Sequence, residues 1–141
     1  MTTGRWGLIP PGISERCRTV DERDVANKKF QKELSTGTVA LVLLSVLDRA
    51  ARPMYGYQIA KQMEERDTDL RFVKQGALYP VLRSLENGGL LESRVEPSTS
   101  GPPRRYYNIT SDGRLTLAAW VEIWNRTRDF VEQTLRGNHD G

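Results

Sequence analysis

An amphipathic helix that runs directly into a predicted β-hairpin constrains the fold of this 141-residue chain more than any other feature. Apolar side chains between Gln75 and Asn87 recur at i, i+3, i+4 and i+7, the spacing of a helix with one buried face. The glycine pair Gly88-Gly89 should end that helix. Leu90–Val95 and Arg104–Ile109 then have the composition of strands, with Pro97–Pro103 as a mobile polar loop between them.

Three helical patterns precede this segment. Asp21–Leu34 has acidic residues first and lysines later, an order that complements a helix dipole. Thr38 to about Ala50 is apolar on all sides, which indicates burial against several neighbours. The link 35–38 is either a break or part of one long helix that contains Gly37. A shorter helix is expected from Tyr57 to about Arg66.

Short helices followed by a hairpin have the order of a winged helix-turn-helix domain, in which the third helix enters the DNA major groove and the hairpin reaches phosphate or the minor groove. We therefore predict a mostly helical fold with a small β-hairpin. The buried face of the third helix should consist of Leu78, Leu82 and Leu85.

The last helix should begin after a cap at Thr110 or Ser111 and run to about Arg136. Its apolar side chains cover roughly 200° of the helix surface, more than one core contact needs. A second copy of the chain is the simplest cover, so we predict a homodimer. The predicted interface residues are Val39, Leu43, Leu117, Trp120, Trp124, Val131 and Leu135.

These patterns divide the chain into four parts. Residues 1–20 should be a flexible arm, because they are rich in glycine and proline without periodicity. Residues 21–110 form the N-terminal helix and winged helix-turn-helix domain, residues 111–136 the dimerisation helix, and residues 137–141 a disordered tail.

Cysteine and histidine, on which many catalytic and metal sites depend, are scarce in this chain. Cys17 is the only cysteine and His139 the only histidine, so an intrachain disulfide, a CxxC metal site and a nucleophile–base set all lack residues. The longest apolar run, Val39–Leu44, is far shorter than the ~20 residues that span a bilayer. Residues 1–12 lack the apolar region of a signal peptide. We expect a cytoplasmic protein that is not an enzyme and has no cofactor, metal or membrane partner.

The net charge of +3 is unevenly distributed. Residues 71–109 carry six basic side chains against three acidic ones, whereas residues 35–70 and 110–141 each have a small acidic excess. Such a local basic surface suits a polyanion, although a solvated charged face would have the same composition.

Three ordered motifs stand out, Tyr55–Ala60 (YGYQIA), Gln75–Leu90 (QGALYPVLRSLENGGL) and Gly101–Thr110 (GPPRRYYNIT). Together they resemble the motifs of the PadR family of bacterial repressors. The resemblance covers about Ser35 to Leu135 and implies a homodimeric repressor that leaves its operator when a small molecule binds. A single helix after the wing resembles the family's smaller subclass. There the last helix and the N-terminal helix build the dimer.

The family implies double-stranded DNA with a pseudo-palindromic operator as the partner, and association with the nucleoid. The residues expected at DNA are Tyr57, Lys74, Gln75, Gly76, Ala77, Tyr79, Pro80, Arg83, Arg104, Arg105 and Tyr106. Lys74 and Ala77 depart from the family's usual Ser or Thr. Of the adjacent arginines Arg104 and Arg105, one should meet DNA while the other pairs with an acid such as Glu92.

In the smaller subclass an aromatic residue of the last helix lines a cavity between subunits, and Trp124 falls at such a position. Trp120 and Trp124 lie one turn apart and are either core or interface residues or a wall for a planar aromatic or drug-like effector.

Three other interpretations compete with this one. A metal-responsive ArsR-type winged helix needs clustered thiolates or imidazoles, and this chain has neither. The multidrug-responsive MarR type lacks the Gly-Ala-Leu-Tyr-Pro pattern that this chain has at residues 76–80. A winged helix used only for protein interaction would not bind duplex DNA in a salt-dependent way. A small enzyme is disfavoured by the missing nucleophile–base set.

Overall fold

The structure, a computed structural model, describes residues 20–66 and 75–137, with only the backbone described for Val20, Arg66, Gln75 and Gly76. Most of the predicted arm and tail, Lys74, Cys17 and His139 lie outside the described residues. The chain divides into two compact units, residues 1–36 and 37–141.

The first helix, α1 (Val20–Ala50), is continuous, so the link at 35–38 is part of one long helix and not a break. Gly37 is accommodated within it, with open space where a Cβ would stand. In the first unit, the side chains from Asp21 to Leu34 are exposed, and an ion pair one turn apart joins Lys28 Nζ to Asp24 Oδ2 at 3.2 Å.

The second unit contains the remaining elements and has the predicted fold class, mostly helical with a small sheet. The sheet is antiparallel with strand order β1-β3-β2; Met54 pairs with Tyr107, and Leu91 pairs with Ile109. The elements are β1 (Met54–Tyr55), α2 (Gly56–Arg66), α3 (Gln75–Asn87), β2 (Leu91–Ser98), β3 (Gly101–Ile109) and α4 (Ser111–Leu135). Strand β1 was not predicted, because two residues carry no periodicity.

The wing hairpin is longer than the sequence predicts. The expectation of a loop over Pro97–Pro103 is wrong, because the strands continue to Ser98 and resume at Gly101. Pro97 coincides with an irregularity in strand pairing, and the proline pair 102–103 lies beyond the part of β3 that pairs with β1. Missing N–H groups at such places remove few ladder hydrogen bonds, so proline is tolerated there.

A single hydrophobic core holds the second unit together. Leu78, Leu82 and Leu85 of α3 are buried, as predicted. By length and composition α1 is apolar enough to cross a membrane, but its leucines at 43, 44 and 47 are almost completely buried in this core. The core consists of Val39, Leu43, Leu44, Val46, Leu47, Met54, Ile59, Ala60, Met63, Leu78, Leu82, Leu85, Leu91, Tyr107, Ile109 and Leu117.

Two helix ends meet at the base of the wing. Helix α3 ends in a Schellman motif, in which Leu90 N–H donates to Leu85 O at 3.0 Å and Gly89 adopts a φ of 79°. Thr110 caps α4, since Gly113 N–H donates to Thr110 Oγ1 at 2.9 Å. The same hydroxyl donates to Gly89 O at 2.7 Å, so one side chain joins both helix ends.

Candidate nucleic-acid interface

The solvent face of α3 is the predicted DNA-reading surface. It carries the exposed residues Ala77, Tyr79, Pro80, Arg83 and Ser84, while its leucines point into the core. The predicted contacts Gln75 and Gly76 belong to the first turn of the helix, and the predicted contact Lys74 lies outside the described residues. The one acidic residue of α3, Glu86, is half-buried and accepts a hydrogen bond from Ser93. Within the described residues Arg83 forms no ion pair.

Tyr79 lies directly over the beginning of α2. A Cβ added at Gly56 would stand 2.6 Å from both Cε1 and Oη of the Tyr79 ring. Real Cβ atoms do not approach so closely, so only glycine at position 56 accommodates the ring in this position. The position of the Tyr79 ring therefore requires that residue 56, at the start of the preceding helix, has no Cβ.

The start of α2 and the wing base share an aromatic cluster. The Tyr55 ring stacks on Tyr57 with centroids 6.5 Å apart and meets Tyr106 edge-on at 5.3 Å. The Arg104 guanidinium carbon lies 4.7 Å from the Tyr55 centroid. We call Tyr55, Tyr57, Arg104 and Tyr106 the wing-base cluster. It brings together three predicted site residues through Tyr55, which the sequence reasoning missed although it opens the Tyr-Gly-Tyr motif.

Arg105 lies on the opposite face of β3, beside α3. Its Nη1 donates to Ser93 Oγ at 2.9 Å, and that hydroxyl donates to Glu86 Oε2 at 2.5 Å. Arg105 is thus linked to Glu86 through Ser93, not to the Glu92 that the sequence suggested. Burial raises the pKa of the nearby Tyr107 hydroxyl above its ordinary value, with Arg105 opposing and Glu86 reinforcing the shift.

The predicted dimer residues fall into two groups. Val39, Leu43 and Leu117 are buried in the chain's own core, at 6%, 0% and 9% exposure, so they present almost no surface to a second chain. Trp120 is half-buried and packs against that core. The other three residues of the set remain exposed along α4: Trp124 at 38%, Val131 at 45% and Leu135 at 80%.

An open apolar groove of about 270 Å³ lies between α1 and α4 in the second unit. Its lining residues are Leu41, Val42, Ser45, Val46, Arg49 and Val121. Neither Trp120 nor Trp124 lines it, although Val121 is adjacent to Trp120 in the helix. Among the residues described, no group of three or more His, Cys, Asp or Glu side chains could hold a metal ion.

This arrangement defines a winged helix-turn-helix protein with a basic and aromatic face. Residues 43–119, more than half of the chain, match the model of the "Transcriptional regulator PadR-like family". The chain belongs to this family, which makes it a transcriptional regulator, implies DNA binding and a cytoplasmic location, and excludes the enzyme interpretation. The ArsR-type and MarR-type interpretations are set aside by the same match.

Solved structures of PadR-like regulators are similar over most of their length. The one from Eggerthella lenta is 30% identical, with a TM-score of 0.70 over 83% of this chain and 97% of the other. One from Clostridium difficile is 31% identical, with a TM-score of 0.59 over 70% and 98% of the two chains. One from Bacillus cereus is 25% identical, with a TM-score of 0.60 over 73% and 96%.

Proposed function

We propose that this protein is a homodimeric repressor. It binds a pseudo-palindromic operator through α3 and the wing, and a planar aromatic effector at the dimer interface releases it. One observation supports the assignment of α3 to the DNA-binding surface. Its exposed side presents Tyr79 and Arg83, and none of its described residues is an exposed acid. Residues 75–77, Lys74, Tyr57, Pro80 and Tyr106 complete the proposed contact set, and the wing supplies an arginine, Arg104 or Arg105, to a phosphate.

Exchange of Arg83 for glutamine should weaken binding to all duplex sequences alike, because a phosphate contact carries no base information. The slope of log K against log salt should become shallower by about 0.9, the amount expected for one phosphate that is no longer neutralised. Fluorescence anisotropy between about 50 and 200 mM salt, a range over which such complexes lose several orders of magnitude in affinity, measures both effects.

The double replacement Arg94→Gln/Glu96→Gln is the matched control for this experiment, because it removes a paired arginine without releasing a carboxylate opposite Arg104. Arg94 is an exposed arginine of the wing whose Nε lies 2.8 Å from Glu96 Oε2, so its charge is already paired. The double variant should bind DNA as the wild type does. Equal salt slopes for wild type and Arg83→Gln would show that Arg83 contacts no phosphate and would contradict the proposed position of α3 at the DNA. A wild type without salt-dependent duplex binding would instead favour the protein-interaction module.

Gly56→Ala tests the role of Tyr79 with little cost in stability. The methyl group displaces the far end of a flexible side chain, so the free energy of unfolding should change by less than about 1 kcal/mol. DNA affinity should fall about threefold to tenfold, the value of one displaced hydrogen bond. In a Tyr79→Ala background the same change should have no further effect on affinity. A Gly56→Ala protein with unaltered affinity would show that the position of Tyr79 does not matter for binding.

The proposed dimer is supported by the exposed apolar side chains Trp124, Val131 and Leu135, which share one side of α4. In the proposed dimer each Trp124 faces its two-fold mate, and a flat ligand could stack between the two aromatic rings. Such a ligand releases DNA only if it binds more tightly to the dimer geometry that does not fit the operator.

Titration of tryptophan fluorescence with flat aromatic compounds tests the effector. Trp6→Phe serves as the parent, since it leaves Trp120 and Trp124 as the only tryptophans. We expect the ligand to quench the fluorescence of the parent. Calorimetry should show that Trp124→Ala weakens binding by roughly 0.5–1.5 kcal/mol, the value of one aromatic pair. Equal calorimetric affinity in both proteins would place the effector elsewhere, for example in the groove beside Val121.

A further inference from the structure

We propose that Tyr55 is a positioning residue that holds the guanidinium of Arg104 ready for a DNA phosphate, whereas the neighbouring Arg105 is restrained by a carboxylate. The inference rests on the proposed DNA-binding function. It assigns different roles to two arginines that are adjacent in the sequence.

Strand geometry separates the two arginines. Side chains alternate across a strand, so Arg104 shares the outer face of β3 with Tyr106, and Arg105 shares the inner face with the buried Tyr107. Each guanidinium therefore meets a different set of neighbours, and the adjacency of the two residues in sequence says nothing about their partners.

Arg104 keeps its charge available. Its strand partner Glu96 is engaged by Arg94, and within the described part of the chain no carboxylate lies at salt-bridge distance from Arg104. The Arg104 guanidinium instead faces the Tyr55 ring, with its carbon 4.7 Å from the ring centroid. An aromatic face attracts a guanidinium without neutralising it, so the charge remains free to meet an anion.

The Tyr55 ring is itself held in place. Tyr57 and Tyr106 contact it from two directions, and its backbone N–H donates to Gln58 Oε1 at 3.2 Å. This last bond is the reciprocal half of a capping box at the start of α2. A ring fixed in this way restricts the rotamers of Arg104 before binding, and less side-chain entropy is then lost at the interface.

Arg105 is restrained instead. Its hydrogen bond to Ser93 continues to the carboxylate of Glu86, so a negative charge lies one hydroxyl away. To reach a phosphate, Arg105 would have to leave this network, whereas Arg104 would break no ion pair.

A double-mutant cycle on the full chain tests the proposal with a duplex bound by the wild type. Tyr55→Phe keeps the ring and should bind as the wild type does, whereas Tyr55→Leu should bind about two- to fivefold more weakly. Arg104→Gln should lower the salt slope by about one. Adding Tyr55→Leu to Arg104→Gln should change the affinity no further, because the group that Tyr55 positions is already absent.

Controls separate this role from a structural one. The double replacement Arg94→Gln/Glu96→Gln, on the same face as Arg104, should leave the salt slope unchanged, because it leaves no free carboxylate opposite Arg104. Arg105→Gln should lower the slope less than Arg104→Gln does. Thermal unfolding of every variant reports stability independently. Additive effects of Tyr55→Leu and Arg104→Gln, or a Tyr55→Phe protein as weak as Tyr55→Leu, would overturn the proposal. If Arg104→Gln binds with an unchanged salt slope, only this inference fails; a wild type that binds no duplex refutes the proposed function itself.

Discussion

Replacing Gly113 with alanine should destabilise the protein by about 3 kcal/mol, the upper range for an overpacked site. A Cβ at this position would collide with the carbonyl oxygen of Leu90 and stand 2.7 Å from Ile109 Cγ1. The carbonyl belongs to the turn that Thr110 joins to α4, so neither partner is the free end of a flexible side chain. Relief of the collision must move the backbone of the turn or the start of α4.

Thermal unfolding should show this loss as a decrease in Tm of about 10 °C, at about 3 °C for each kcal/mol in a chain of this size. Gly37→Ala is the matched control, because it places the same methyl group in α1, where nothing beyond the adjoining residues and the helix's own backbone lies within 4 Å. It should raise stability by about 0.5–1 kcal/mol, since alanine restricts the unfolded chain. A Gly113→Ala protein as stable as wild type would show that the turn does not need this close approach.

Replacing Val131 with aspartate should convert the proposed dimer to monomers. Val131 is 45% exposed in the single chain, so the substitution should leave the fold intact. In a two-fold interface it would bury two unpaired charges, each costing about 3 kcal/mol, and weaken dimerisation about ten-thousandfold. Operator affinity should fall with it, because the two half-sites are no longer bound by linked domains.

Sedimentation at micromolar concentration distinguishes the outcomes, since wild type should have twice the 16.0 kDa chain mass and Val131→Asp the mass of one chain. Leu115→Asp is the control for the added charge. Leu115 is 73% exposed and lies about 160° around α4 from Val131. The Leu115→Asp protein should therefore remain dimeric. A monomeric wild type, or a dimeric Val131→Asp protein, would contradict the proposed interface.

Local features of the fold were predictable from the sequence because neighbouring residues determine them. The bounds of α3 follow from apolar spacing and from Gly89, whose left-handed φ suits glycine. The cap of α4 follows from the Thr110 hydroxyl, which reaches a backbone N–H three residues away. The family motifs lie within such segments, which is why the winged helix could be predicted before any contact was known.

Features that depend on distant residues were not predictable in this way. The wing strands extend through positions 101–103 despite their prolines, because an open strand side tolerates a missing N–H. Val39, Leu43 and Leu117 have the apolar character of interface residues, and periodicity alone does not say whether the same chain or another covers them.

The sequence by itself determined the helical segments of the second unit, the caps at Gly89 and Thr110 and the basic excess of the central segment, since spacing, capping and charge are local properties of the chain. The continuity of α1 through residues 35–38 was decided by the structure. Only the tertiary structure decided which side chains meet. Pairing of Tyr55 with Tyr106 brings Arg104 onto an aromatic ring, and pairing of Ser93 with Tyr107 brings Arg105 towards Glu86. Strand register sets these contacts across residues far apart in the chain, and a shift of one residue would exchange the two faces.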